Sequence, residues 1–124
     1  MANTATQLNP LNMQNGLSRA ITPIVVSFDT INSDLTIYTP DKAQKMVAVV
    51  GMAASNTTAS NLTVKSGSTT LVTLQLAANQ GIYHPIGKPI FVTQPGQALV
   101  MQVSAQPFTA LIYVVQGDNF AFNC

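Results

Sequence analysis

From Pro23 to the end of the chain, short apolar stretches alternate with clusters of turn-forming residues. The punctuation recurs about every eight to twelve residues, the spacing of an all-β sandwich or barrel. It predicts about eight strands, over 24–30, 34–39, 45–54, 60–66, 69–77, 89–93, 97–104 and 108–117. Between them lie "TPDK", "SNTTAS", "SGS", "AANQG", "QPG" and "AQP", each made of residues that accept turn geometry. Within several strands apolar and polar residues alternate with period two, as half-buried strands require. Ile24, Val26 and Phe28 share one face, as do Leu62 with Val64 and Val72 with Leu74 and Leu76. These residues predict the inner faces of an antiparallel two-sheet β-sandwich.

Two segments break the alternation. "MVAVVGMAA" at 46–54 and "FTALIYVV" at 108–115 are apolar on both faces. In the second, Phe108, Ala110, Ile112 and Val114 face one way, and Leu111, Tyr113 and Val115 the other. A sandwich has one core between its sheets, so the second face of such strands needs separate cover. Two sources of cover are expected, an N-terminal arm or a neighbouring subunit. Leu111, Tyr113 and Val115 are therefore candidate interface residues.

Residues 1–22 hold no steady period and read as an extended arm ahead of a sandwich domain spanning 23–124. Such a polar terminus is ordered only when something ties it down. Its apolar residues Leu8, Leu11, Met13 and Leu17 are candidate anchors in shallow pockets of its own domain or of a partner. At the other end, "GDNFAFNC" alternates Phe120 and Phe122 with polar residues, which fits a last edge strand or an adhesive tail.

Composition narrows the function. Only 7% of the residues are charged and the net charge is +1, against a usual charged share of about 25%. The acids are all Asp, Trp is absent, and Asn, Gln, Ser and Thr make up about a third of the chain. Surface helices lean on Glu, Lys and Arg, so the composition favours strands. The five basic residues, Arg19, Lys42, Lys45, Lys65 and Lys88, are scattered and form no nucleic-acid footprint. The pair Lys42 and Lys45 reads as a solvated edge. A nearly neutral chain also has little colloidal repulsion and is prone to associate. The longest apolar run falls far short of the roughly 20 residues of a membrane-spanning helix. The first residues lack the pattern of a secretory signal, which predicts synthesis in a cytoplasm. Cys124 is the single cysteine, so no intrachain disulfide forms. The triplets Asn56-Thr57-Thr58 and Asn61-Leu62-Thr63 are chance matches to a glycosylation pattern in so Asn- and Thr-rich a chain.

Candidate chemistry is sparse. His84, Cys124, Asp29, Asp34, Asp41 and Asp118 are the groups a catalytic site could draw on, and no Gly-x-Ser-x-Gly nucleophile pattern accompanies them. They gather at no metal-ligand spacing, and Asp34 and Asp41 read as turn residues. The expectation is a protein without enzymatic activity, cofactor, metal or small-molecule substrate. "GIYHPIGKPI" at 81–90 superficially suggests a phosphate loop. A Walker cradle needs four residues between its glycines and then Lys followed by Ser or Thr. Here five residues separate Gly81 from Gly87, and Lys88 precedes Pro89, which lacks an N–H for an anion nest. The segment reads instead as a stiff crossover, with Pro85, Gly87 and Pro89 keeping it out of a sheet and His84 as a loop side chain.

The order of features over residues 45–117 carries a resemblance. A strand with "VKSG" precedes one ending in "LAANQG"; a Pro-containing crossover, the segment "IFV", the strand "GQALVMQVS" and a final apolar strand follow. This order resembles the decoration, or cement, proteins of tailed-bacteriophage capsids. The resemblance implies a jelly-roll-like sandwich that trimerises on the outer surface of an icosahedral head and ties neighbouring capsomers together. Its implied partners are the major capsid protein and two further copies of itself, and its place is the virion. The same sandwich serves in fibres, tails and baseplates, so a receptor- or carbohydrate-binding module and another minor head or tail subunit are the alternatives. For sugar stacking, Tyr38 and Tyr83 are the available aromatic candidates.

Overall fold

The computed structural model describes residues 3–8 and 21–117. Ten strands run in chain order: β1 (Thr4–Gln7), β2 (Thr22–Phe28), β3 (Leu35–Tyr38), β4 (Met46–Asn56), β5 (Ser60–Ser66), β6 (Thr69–Leu76), β7 (Ile82–His84), β8 (Phe91–Val92), β9 (Leu99–Val103) and β10 (Phe108–Gly117). All eight expected strands form. β1 and β7 are additional, and no helix occurs among the described residues.

The strands make two antiparallel sheets. The first has the order β1-β2-β10-β4-β7, with β8 also on β4, and the second β3-β9-β5-β6. The pairing is nested: β2 with β10, β3 with β9, β4 with β7 and β8, β5 with β6. The chain thus behaves as one long antiparallel ribbon, turned at the β5–β6 hairpin and rolled until β10 meets β4 and β9 meets β5. That is a jelly roll, in agreement with the sandwich read from alternation.

The period-two residues fill the space between the sheets. Ile24, Val26 and Phe28 from β2, Val47, Val49 and Met52 from β4, and Phe108, Ala110, Ile112 and Val114 from β10 form one side. Ile37, Leu62, Val64, Leu76, Leu99, Met101 and Val103 form the other. Phe28 and Phe108 are directly paired across β2 and β10, their rings edge to face with centroids 5.9 Å apart, a favoured aromatic geometry. The turn clusters take the backbone angles they were expected to allow. Gly67 (φ 57°) closes the β5–β6 hairpin, and Gly96 (φ 77°) lets the loop before β9 pass so close to Ala43 that a Cβ there would lie 2.6 Å from its carbonyl oxygen.

The arm region divides in two. Thr4–Gln7 pair with β2 of their own chain, and the Asn3 side chain holds the far end of β2, its Oδ1 accepting from the Asp29 and Thr30 amides at 2.7 Å each. Residues 9–20 fall outside the described structure, as does the segment holding Phe120, Phe122 and Cys124.

The proline-rich crossover departs from expectation. It does carry the chain from the second sheet to the first, but it joins the first sheet instead of staying out of it. Ile82–His84 pair with Met52–Ala54, and Phe91–Val92 with Ala48–Val49. Between them the Gly87 amide donates to the Val50 carbonyl (2.9 Å) and the Ile90 amide to that of Val49 (2.7 Å). Pro85 and Pro89 only split the edge strand, because an edge needs its inward amides alone and the missing ones fall in the arc between β7 and β8.

Candidate docking face

The outward face of the first sheet is where the two-faced strands leave apolar surface. The β4–β10 register shifts between Tyr113, opposite Gly51, and Val114, opposite Val49, so Val50 is an extra residue on β4. A bulge of this kind bends a strand and re-aims its side chains. On one side of it the outward face is covered by the chain itself. Ile21, Ala48, Val50 and Val115 form a second buried cluster, with Met46, Ile86, Val92 and Tyr113 packed against it. Ile86 rides directly on the bulge: a Cβ added to Gly51 would lie 3.1 Å from the Ile86 Cα. Much of the cover expected from an arm or a neighbour therefore comes from the split edge strand.

On the other side of the bulge the face is open, and the registers order it into rows. Thr6, Val25, Leu111, Ala53 and Tyr83 stand opposite one another across β1, β2, β10, β4 and β7. Beside them run Thr4, Ser27, Thr109 and Ser55. At about 4.8 Å per strand, the five-residue row is about 19 Å long. Val25 is 44% exposed and Tyr83 75%, high values for large apolar bodies within a sheet. Neither row contains an Asp, Lys or Arg. A shallow hollow of about 360 Å³ lies among Val25, Ala53, Ser55, Thr109 and Leu111. A second, of about 190 Å³, lies among Ala53, Tyr83, His84, Pro85, Ile86 and Tyr113.

The described ion pairs sit elsewhere. Lys65 on β5 bridges to Asp34 at 2.9 Å, and Lys45 lies 3.6 Å from Asp41. Asp41 also takes part in a polar contact between the sheets: the Gln116 amide donates to the Tyr38 hydroxyl and to the Asp41 carboxylate, each at 3.2 Å. Burial, and secondly the Asp41 charge, raise the Tyr38 hydroxyl above its usual pKa, against a hydrogen bond with Thr22 that lowers it. Among the described residues, no three His, Cys, Asp or Glu side chains come together to hold a metal ion, and no helix is long and apolar enough to cross a membrane.

The expected interface residues separate accordingly. Leu111 and Tyr113 stand half-buried on the outward face, Leu111 within the open row and Tyr113 at its covered border. Val115 is only 2% exposed and belongs to the covered cluster. Leu8 is exposed just past β1, its amide donating to the Pro23 carbonyl. Leu11, Met13 and Leu17 lie outside the described residues. His84 is exposed on β7 opposite Met52, at the rim of the smaller hollow. Val25 and Ala53 join the face without having been singled out; Tyr83, expected as a candidate for sugar stacking, joins it as well. The one signal for Val25 was its place in "PIVV", which interrupts the alternation of β2.

Comparison with protein-family models, curated proteins and solved structures finds no match. The functional reading therefore rests on the fold, on this face and on the resemblance carried by residues 45–117.

Proposed function

We propose that the protein is a non-enzymatic virion structural protein that docks as a trimer on the outer surface of an icosahedral capsid, contacts the major capsid protein and stabilises the joints between capsomers. The observation that carries this reading is the open half of the first sheet, an uncharged row of Thr6, Val25, Leu111, Ala53 and Tyr83 on a jelly roll. Apolar and hydroxyl side chains in a flat array suit a protein surface: they desolvate cheaply, and hydroxyls find partners on backbone groups. The resemblance over residues 45–117 supplies the capsid and the threefold state.

Magnitudes favour several copies acting together. The two rows span about 19 Å by about 14 Å, or about 270 Å². At about 25 cal/mol per Å² this is at most about 7 kcal/mol, and association costs offset much of it. A standard interface takes about 800 Å² per partner. One copy would hold weakly, whereas three linked copies gain by effective concentration. The test is purification of intact heads: the protein should copurify in fixed ratio to the major capsid protein, and its absence from them would refute the reading.

A second reading has its own observation. Tyr83 and Tyr113 flank the smaller hollow beside His84 and Pro85, so a receptor or carbohydrate could stack there. Binding on a glycan array, lost in Tyr83→Ala, would favour that function over capsid attachment.

A further inference from the structure

Among the described residues, five strands form the four rims of the two sheets, and three of these rims carry features that stop a sheet from growing. β1 and β3 are four residues each, and the register of β3 breaks between Thr36 and Tyr38. The edge made by β7 and β8 is split at Pro85 and Pro89. The fourth rim, β6, is different. Its eight residues, "TTLVTLQL", contain neither charge nor proline. Among the described residues it pairs with β5 alone. Its one irregularity lies at Leu71, beyond which Val72–Leu76 run in regular register with β5. In that stretch Val72 and Leu74 pack against the core yet remain half-buried. Leu71 is 38% exposed. A long, uncharged, regular edge is a template for another strand.

We propose that β6 pairs antiparallel with β6 of a second copy of this chain, about a twofold axis at Leu74, joining the two four-stranded sheets into one of eight. The regular stretch selects this register, because Leu74 is its midpoint and the irregularity at Leu71 limits both copies to the same five residues. The twofold sets Leu74 opposite the partner's Leu74 and Val72 opposite the partner's Leu76. It sets Thr73 opposite the partner's Gln75. Apolar groups meet at the core side, hydroxyl meets amide at the solvent side, and no like charges oppose each other. The solvent side already carries a polar cross-strand contact, Thr63 to Thr73 at 3.5 Å. That self-complementarity is what an isologous contact requires, and it favours a second copy over an unrelated peptide. The contact joins copies two at a time, so in a trimer it lies between trimers. It does not depend on the capsid reading.

The test uses the purified full chain with Cys124→Ser, Thr73→Cys and Gln75→Cys. Both positions on β6 are exposed, so the fold is undisturbed. Directly opposed residues have Cβ atoms about 4.5–5.5 Å apart, close enough for a disulfide after small movement. Mild oxidation should convert most of this variant to a species of twice 13.1 kDa on a non-reducing gel. Thr73→Cys in the Cys124→Ser background should cross-link at least about tenfold more slowly, because the two Thr73 are offset by two residues. Adding Leu74→Lys to the full variant should suppress the cross-link by a similar factor, an inward charge being a device that blocks edge pairing. Failure of the Thr73→Cys, Gln75→Cys variant to cross-link would overturn the proposal. So would equal cross-linking by Thr39→Cys in the Cys124→Ser background, an exposed loop position outside both β6 and the open face, which marks random collision. Should Leu74→Lys fail to fold by circular dichroism, these comparisons decide alone.

Discussion

Replacing Asn56 with Ala should loosen the end of the sandwich that presents Tyr83. Asn56 ends β4, is 3% exposed, and ties two turns together. Its amide nitrogen donates to the carbonyls of Thr58 (3.0 Å) and Ala77 (2.8 Å), and its Oδ1 accepts from the Gly81 amide (2.8 Å). Alanine removes all three bonds. The Thr58 and Ala77 residues are exposed, so water can reach their carbonyls, while the Gly81 amide is part-buried and loses its acceptor. At about 1 kcal/mol for each of the two lost donor bonds, and about 1–3 for the buried Gly81 amide left without a partner, the loss comes to about 3–5 kcal/mol. With a urea dependence of about 1.5 kcal/mol/M, the unfolding midpoint should fall by about 2–3.3 M. Asn56→Asp separates the contributions, since it keeps the acceptor for Gly81 but turns both donor contacts into repulsion between oxygens. It should be no more stable than Asn56→Ala at pH 7. A midpoint within about 0.5 M of wild type for either variant would refute the reasoning.

Other expectations follow from the same geometry. Gly51→Ala places a methyl 3.1 Å from the Ile86 Cα; the arc between β7 and β8 must shift, costing about 1–2 kcal/mol, which a thermal melt reads as a lower Tm. Tyr38 carries a raised hydroxyl pKa through burial and Asp41. Below pH about 10 the phenol is protonated folded and unfolded alike; above it the unfolded chain loses the proton first, so stability falls. Tyr38→Phe should make that alkaline fall shallower in unfolding curves taken between pH 9 and 11, and an unchanged slope would refute the assignment.

How much of this could be read from residue order depends on the kind of feature. Alternation in 24–28, 62–64 and 72–76 located the core faces, because one period-two strand contains all the information needed to orient itself. β1 and β7 escaped for opposite reasons: "TATQ" has almost no apolar signal, and "IYH" sits against Pro85, which argues against a strand. The doubly apolar segments signalled that an outward face existed, and Leu111 lies on its open part. That Val115 is instead internal follows from Ile86 and Val92 folding over the bulge at Val50, a long-range event with no local signature. Likewise Val25, Ala53 and Tyr83 become neighbours only through the registers of four strands.

The most direct measurement is occupancy of intact heads by Leu111→Lys compared with wild type. Leu111 is half-buried at the centre of the open row and outside the core between the sheets, so the variant should keep its fold by circular dichroism. A lysine there sets a strongly hydrated charge in the middle of an uncharged contact, costing about 2–4 kcal/mol per copy. That is a loss of about thirtyfold or more in affinity for each subunit, compounded where three act together. Docking through this face predicts heads nearly bare of the folded variant; heads carrying it at the wild-type ratio would contradict the account.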